Sequence, residues 1–197
     1  MLSKLQRYDA IIFDMDGTLI DSMPSHLDAW KKTSEIHGFP YDRQWHHSLG
    51  GVSTERTAEM ISERYNLTLD AEKVAETKRQ SLEDIFQGPV LIEETYQVLL
   101  AAEGKKKLAV GTGALRGDAL ALLNEVGVLG RLDTLVTVTD VNNGKPHPET
   151  FLKAAEQMGI EPKHCLVFED TELGRQAATS AGMDCVLVVN GQLQWPE

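Results

Sequence analysis

Asp14-Met15-Asp16-Gly17-Thr18 follows Ala10-Ile11-Ile12-Phe13, an apolar run that reads as a buried strand. Strand side chains two apart point the same way, so if strand geometry continues, the two aspartates stand together. Like charges at an apolar strand end repel and resist dehydration, so the pair needs compensation. Three further strand ends carry matching chemistry. "KLAVGTG" ends in Gly111-Thr112-Gly113, "TLVTVTD" runs to Asp140 and a loop bearing Lys145, and "CLVFED" ends in Glu169-Asp170. In an open parallel sheet, ligands bind at the carboxyl ends of the strands, where all these residues converge. Asp14, Asp16, Glu169 and Asp170 against one lysine leave an excess of negative charge. A divalent cation removes it: Mg²⁺ takes oxygen ligands and binds one or two carboxylates together with a substrate phosphate. Thr112 and the amides of Gly113 and Ala114 lie at a strand-to-helix junction, where N–H groups attract anions. Lys145 adds a positive charge on a flexible stem. The chemistry indicated is a cation-and-phosphate site with one carboxylate free to attack.

The elements that must position these residues are legible in the rhythm of the chain. From Gly88 onward, strands alternate with helices: Glu93–Ala102, "KLAVGTG", Gly117–Val126, "TLVTVTD", Glu149–Met158, "CLVFED", Glu172–Ala181 and "CVLVV". That alternation indicates βαβ units and a parallel sheet. Gly104, Gly127, Gly159 and Gly182 each follow a helix, where a left-handed residue ends it at least cost. Between Met23 and Gln87 no strand pattern occurs. "SMPSHLDAWKKTSEIHG" carries helix-start signals at Ser22 and Pro24 and a stop at Gly38, with Leu27, Trp30, Ser34 and Ile36 as a loose stripe. Helices near Thr54–Tyr65 and Asp70–Phe86 follow, the second capped by Asp70. The expected fold class is α/β: a doubly wound parallel-sheet core of residues 1–20 and 88–197, interrupted after the first strand by a small all-helical cap of residues 21–87.

The bulk numbers narrow the function classes. The 197 residues allow one large domain or a domain with a small insertion, and 42% apolar with 25% charged residues is ordinary globular composition. A net charge of -11 argues against nucleic acid or an anionic membrane as partner. Cys165 and Cys185 each lead into an apolar run and read as reduced core residues. There is no signal-peptide pattern and no membrane-spanning apolar stretch, so a cytoplasmic protein is expected, a monomer or small homo-oligomer.

The four strand-end clusters, in their order along the chain, resemble the four motifs of the haloacid dehalogenase (HAD) superfamily. Asp14-Met15-Asp16-Gly17-Thr18 resembles the first, Thr112 the second, Lys145 before Pro146 the third and Glu169-Asp170 the fourth. The helical insertion resembles the small cap of the superfamily's first subclass. The resemblance implies a two-step phosphoryl transfer. Asp14 attacks phosphorus and Asp16 serves as general acid and then general base. Mg²⁺ is held by Asp14, the Asp16 main-chain carbonyl, Asp170 and Glu169, the last directly or through water. Thr112, Gly113, Ala114 and Lys145 bind the phosphoryl oxygens, and Thr18 steadies the loop and Asp16. A dehalogenase lacks the second aspartate, so Asp16 favours phosphate over halide chemistry. Asp21 and Asp140 read as structural turn or loop residues.

A cap implies a small phosphorylated metabolite closed off from water. His26, Trp45, His46, His47, Arg56, Lys78 and Arg79 are the polar or amphipathic residues available to read it. His26, Gly51, Arg56 and Lys78 are the substrate-binding candidates. Arg56, Lys78 and Arg79 also read as solvated helix faces, and Trp45 as packing. The chain is similar to β-phosphoglucomutases, which also carry a histidine at the position of His26 and a loop like Gly51-Val52-Ser53. It departs from them at Thr54, where the mutases place an arginine that holds a second phosphate. The expectation is a fructose 1-phosphate type of sugar-phosphate phosphatase. Its rivals are a phosphomutase, a receiver-like phospho-switch without turnover, and a degenerate binding protein.

Overall fold

A computed structural model describes residues 2–195 and places β1 (Ala10–Phe13) at the centre of one six-stranded sheet. After α1 (Leu2–Leu5) and β1 come α2 (Met23–His37), α3 (Arg43–Ser48), α4 (Thr54–Tyr65), α5 (Ala71–Ile85) and α6 (Glu93–Ala102). The chain then alternates through β2 (Lys107–Gly111), α7 (Arg116–Glu125), β3 (Thr134–Val136), α8 (Glu149–Met158), β4 (Cys165–Glu169), α9 (Glu172–Ser180), β5 (Asp184–Val189) and β6 (Gln192–Gln194). The strand order is β3-β2-β1-β4-β5-β6, parallel throughout except for the β5–β6 hairpin. The order reverses between β1 and β4. A crevice opens at such a switch point beyond the strand carboxyl ends.

Strand alternation builds both sides of the sheet. Ile11 and Phe13 face Val98 and Leu99 of α6 and Leu123 of α7, with Phe168 stacked on Phe13 at 5.2 Å between ring centroids. Ala10 and Ile12 face the other way, toward Phe151 and Ala154 of α8 and Ala177 and Ala178 of α9. All four β1 residues are buried, so both faces of the central strand are covered by helices, as a parallel sheet requires. Each large side chain buried here contributes about 1.5–3 kcal/mol.

The helices α2–α5 have a core of their own. Trp30, Phe39, Ala58, Ile61 and Val74 are buried together, with Tyr41, Trp45 and Tyr65 packed around them. Gly38 ends α2 at φ 73°, and Asp70 Oδ1 caps α5 by accepting from Lys73 N at 3.2 Å.

Several boundaries differ from the sequence reading for physical reasons. "TLVTVTD" is strand only to Val136, because Asp140 turns back to accept from the Thr137 amide and hydroxyl and closes a 3-10 turn over Val138–Asp140. Asp140 is thus the structural residue expected. Ile36 is not part of the buried stripe of α2; it is 60% exposed. The short α3, the N-terminal α1 and the antiparallel β6 were not expected. Both cysteines are free thiols, and burial pushes Cys165 up to about 11 and Cys185 to about 12, so neither is a thiolate at neutral pH. Among the described residues no helix is long and apolar enough to cross a membrane.

Candidate active site

β1 stops at Phe13, and the next residues leave strand geometry in a tight loop. Gly17 adopts φ 83°, its amide donates to the Ile20 carbonyl at 2.7 Å, and a Cβ there would sit 2.3 Å from Asp170 Oδ2. The loop separates the two aspartates expected side by side. Asp14, 2% exposed, accepts from Lys145 Nζ at 2.6 Å, and the same ammonium donates to Glu169 Oε1 at 2.7 Å. Asp16 turns toward the helical insertion. Ser22 Oγ donates to its Oδ1 at 2.5 Å, and His26 Nε2 lies 3.4 Å from the same oxygen.

The electrostatics sort the carboxyls. Burial raises the Asp14 pKa to about 7; Lys145 pulls it down and Glu169 pushes it back up. Burial, with Glu169 and Asp14 adding to it, holds Asp170 well above the carboxylate range. Burial pushes Asp16 up as well, but His26, Ser22 and Lys78 outweigh it and leave Asp16 below its ordinary value. Burial disfavours the Lys145 ammonium, yet Asp14 and Glu169 more than compensate and its pKa is raised. Asp14, Glu169 and Asp170 offer carboxylate oxygens within 4.8 Å of one another, an acidic cluster able to hold a metal ion. The fit to a hard cation is good: the donors are all oxygen, and burial with like-charge crowding is the conflict a cation relieves. Glu169 is otherwise engaged, since its Oε2 accepts from the Thr171 amide at 2.8 Å and lies 3.0 Å from the Thr171 hydroxyl.

Thr112 is buried at the end of β2, and its Oγ1 accepts from the Ala114 amide at 3.1 Å. The Ala114 amide is therefore turned to Thr112 rather than left free, as the sequence had suggested. Thr18 holds the loop through its main chain, its amide donating to the Met15 carbonyl at 3.3 Å, but makes no hydrogen bond that would steady Asp16. Its hydroxyl is buried with no hydrogen-bond partner among the described residues, and its carbonyl accepts from Thr95 Oγ1 at 2.6 Å. The role falls to Ser22, whose hydroxyl was read as a helix cap but makes no cap bond.

Above these residues a cavity of about 340 Å³ is walled below by Asp14, Asp16, Thr112 and Gly113 and above by α2, α4 and α5. His26 and Lys78 reach into it together, Lys78 Nζ 2.8 Å from His26 Nδ1. Lys78 is 4% exposed, and its burial lowers its pKa to about 8. Arg79 also lines the cavity, paired with Glu55 at 2.6 Å. His46 lines it too, its Nδ1 2.7 Å from the Asp42 carbonyl. Arg56 does not reach it. The guanidinium is on the exposed side of α4, 2.8 Å from Glu59 and 2.9 Å from Glu63, away from the cavity wall. Trp45 packs on Tyr65 and Arg64, and His47 is exposed.

A model of the haloacid dehalogenase-like hydrolases matches residues 8–182. The chain belongs to that family. This HAD-like hydrolase is 38% identical over 181 residues to a fructose-1-phosphate phosphatase of Escherichia coli (strain K12), covering 92% of this chain and 96% of the relative. It is 31% identical over 180 residues to a phosphorylated carbohydrates phosphatase of Thermotoga maritima, covering 89% and 82%. The β-phosphoglucomutase structure from Clostridium difficile superposes with a TM-score of 0.78 at 27% identity, over 93% of this chain and 85% of that one. By family and relatives the chain is a HAD-type phosphatase, a phosphoric monoester hydrolase, with the capped architecture of the β-phosphoglucomutase-like branch.

The loop Leu49–Ser53 of this HAD-like hydrolase rests directly on the core. A Cβ on Gly113 would lie 2.3 Å from the Gly51 carbonyl oxygen, and one on Gly51 would lie 3.1 Å from Lys145 Cδ. Gly113→Ala is therefore expected to hold the loop off the core and lower kcat/KM about 10²-fold, the scale of an ångström-sized misplacement. The melting temperature should move little, because the clash falls between two packed units rather than inside either. Steady-state kinetics beside a thermal melt checks this, and full activity in the alanine variant would contradict it.

Proposed function

We propose that this protein is an Mg²⁺-dependent phosphatase for a small sugar monophosphate of the fructose 1-phosphate type, acting through an aspartyl-phosphate on Asp14. The observation that carries the reading is the partition of the two aspartates. One is buried beneath the cavity against a lysine, and the other is held at the cavity edge by Ser22 and His26. An Asp14 oxygen attacks phosphorus as the bond to the leaving alcohol breaks. Asp16, ionised in the unliganded protein, must take up a proton from solvent or the incoming phosphate monoanion as substrate binds, and it gives that proton to the alcohol. Asp16 then takes a proton from water, which attacks the phosphoryl group, frees inorganic phosphate and regenerates Asp14. Asp14, Asp170 and the Asp16 carbonyl would hold Mg²⁺, with Glu169 behind them, and the ion supplies charge neutralisation to the phosphoryl oxygens. Thr112, Gly113 and Lys145 bind those oxygens. Residues 21–87 act as a cap over a core of 1–20 and 88–197. His26 and Lys78 meet the sugar hydroxyls within the cavity.

The mutase reading loses support at the cap. Thr54 lines the cavity where an arginine would clamp a second phosphate, and Arg56, the nearest substitute, is committed to surface carboxylates. The test is Mg²⁺-dependent phosphate release from fructose 1-phosphate, glucose 6-phosphate and β-glucose 1-phosphate, the last assayed also for isomerisation. Isomerised sugar phosphate without release would establish a mutase. Asp16→Asn should slow release about 10²–10⁴-fold, the range for general acid–base groups. It should lower kcat/KM for an aryl phosphate far less, because that constant reports the first step and the aryl leaving group departs without a proton. Equal losses in kcat/KM on both substrates would remove Asp16 from the acid role.

A further inference from the structure

We infer that Thr171 is a positioning residue, a hydroxyl latch that holds the cap loop closed over the Lys145–Glu169 pair. The inference rests on the phosphatase reading above for its kinetic consequence, but on geometry for the latch itself. Thr171 is 3% exposed and follows the fourth motif by one residue. Its Oγ1 lies 3.2 Å from the Gly50 carbonyl of the cap loop and 3.0 Å from Glu169 Oε2, and it accepts from the Gly174 amide at 3.1 Å. Among the described residues, apart from the contacts of Asp21, Ser22 and His26 beside β1, this is the hydrogen bond that joins residues 21–87 to the core.

A hydroxyl has one proton and here two acceptors. With the loop down, the hydroxyl is shared between the Gly50 carbonyl and Glu169 Oε2, and Glu169 Oε2 also accepts from the Thr171 amide at 2.8 Å. When the loop lifts, the hydroxyl keeps Glu169 Oε2 and loses only the Gly50 carbonyl, so opening strands no buried donor and costs one hydrogen bond. The loop also lies against the pair that the latch adjoins. A Cβ on Gly50 would sit 2.8 Å from Thr171 Cγ2, and one on Gly51 would sit 3.5 Å from Glu169 Oε1.

Thr171 is also the N-cap of α9, and the test must separate the two roles. Val has neither function and Ser has both, so hydrogen exchange is read separately at α9, which reports the cap, and at residues 49–53, which reports the latch. Both are measured, with steady-state kinetics, for Thr171→Ser and Thr171→Val. The latch predicts exchange of 49–53 and KM both raised about three- to tenfold in the Val variant, the loss of one hydrogen bond, with Ser like wild type. A capping role alone predicts that Val raises exchange of α9 and leaves that of 49–53 unchanged, and that result overturns the latch. If the wild type hydrolyses no sugar phosphate, the substrate reading fails, while the exchange comparison still decides the latch.

Discussion

Asp14→Asn is expected to abolish phosphate release and, in the presence of a chelator at neutral pH, to make the protein more heat-stable. The loss of activity should be on the order of 10⁴-fold or more, as for removal of an attacking group. The gain in stability follows from burial. Asp14 sits 2% exposed, and its carboxyl is raised from 3.8 to about 7 even with Lys145 beside it. A carboxyl whose folded pKa exceeds its unfolded value favours the fold when protonated. That contribution is complete below about pH 4 and is lost as the pH climbs to about 7. Asparagine keeps the shape without the charge. The variant should therefore melt close to wild type near pH 4 and several degrees above it near pH 7.5. Mg²⁺ should then narrow the difference by stabilising wild type alone. Thermal melts at the two pH values with EDTA and with Mg²⁺ decide it. A variant less stable than wild type near neutrality would show that Lys145 compensates Asp14 more fully than its surroundings imply.

Lys145→Met should do the opposite to the fold. The lysine side chain is 1% exposed between Asp14 and Glu169, so its removal leaves two buried carboxylates facing each other with Asp170 alongside. Breaking a buried pair from one side costs about 3–5 kcal/mol, a large part of a folding stability of about 5–15 kcal/mol. Turnover should fall by about 10³-fold or more, because Asp14 then ionises poorly and the phosphoryl oxygens lose a donor. The pH signature distinguishes this from simple misfolding. The lysine's own pKa is raised, so below 10.5 its contribution to stability does not vary with pH. The remaining carboxyls do vary: as they take up protons toward pH 5 their repulsion fades, and the deficit in urea melts should shrink. A deficit that stays constant from about pH 5 to pH 8 would remove electrostatics as its cause.

The core of the site was legible because it is written locally. Each functional residue follows an apolar run with strand character, and a parallel sheet gathers such ends at one edge whatever the packing details. Asp14, Thr112, Lys145, Glu169 and Asp170 are found together for that reason. The helical insertion was legible from the absence of strand pattern between Met23 and Gln87. What sequence reading missed depends on three-dimensional competition for the same atoms. Ser22 carries the pattern of a helix cap, but its hydroxyl is claimed by Asp16. Thr171 looks like an ordinary N-cap, and only the folded chain brings Gly50 to it. Arg56 and Lys78 are alike in sequence as helix cations. Three-dimensional packing alone turns Lys78 into the cavity while Arg56 pairs with Glu59 and Glu63 on the surface. The β6 hairpin did have a signal, since Asn190-Gly191 with positive φ at both residues is the favoured two-residue turn.

That hairpin has a bearing on how the protein behaves at high concentration. A parallel sheet ends in unpaired N–H and C=O groups that can recruit a strand from another molecule. Here β6 folds back along β5, and its three residues, Gln192, Leu193 and Gln194, put two polar amide side chains at that boundary. The opposite boundary, β3, is also only three residues long, because the Asp140 turn stops it early. Neither border offers a long, flat, apolar template, and a net charge of -11 keeps molecules apart. The chain should accordingly resist strand-mediated aggregation.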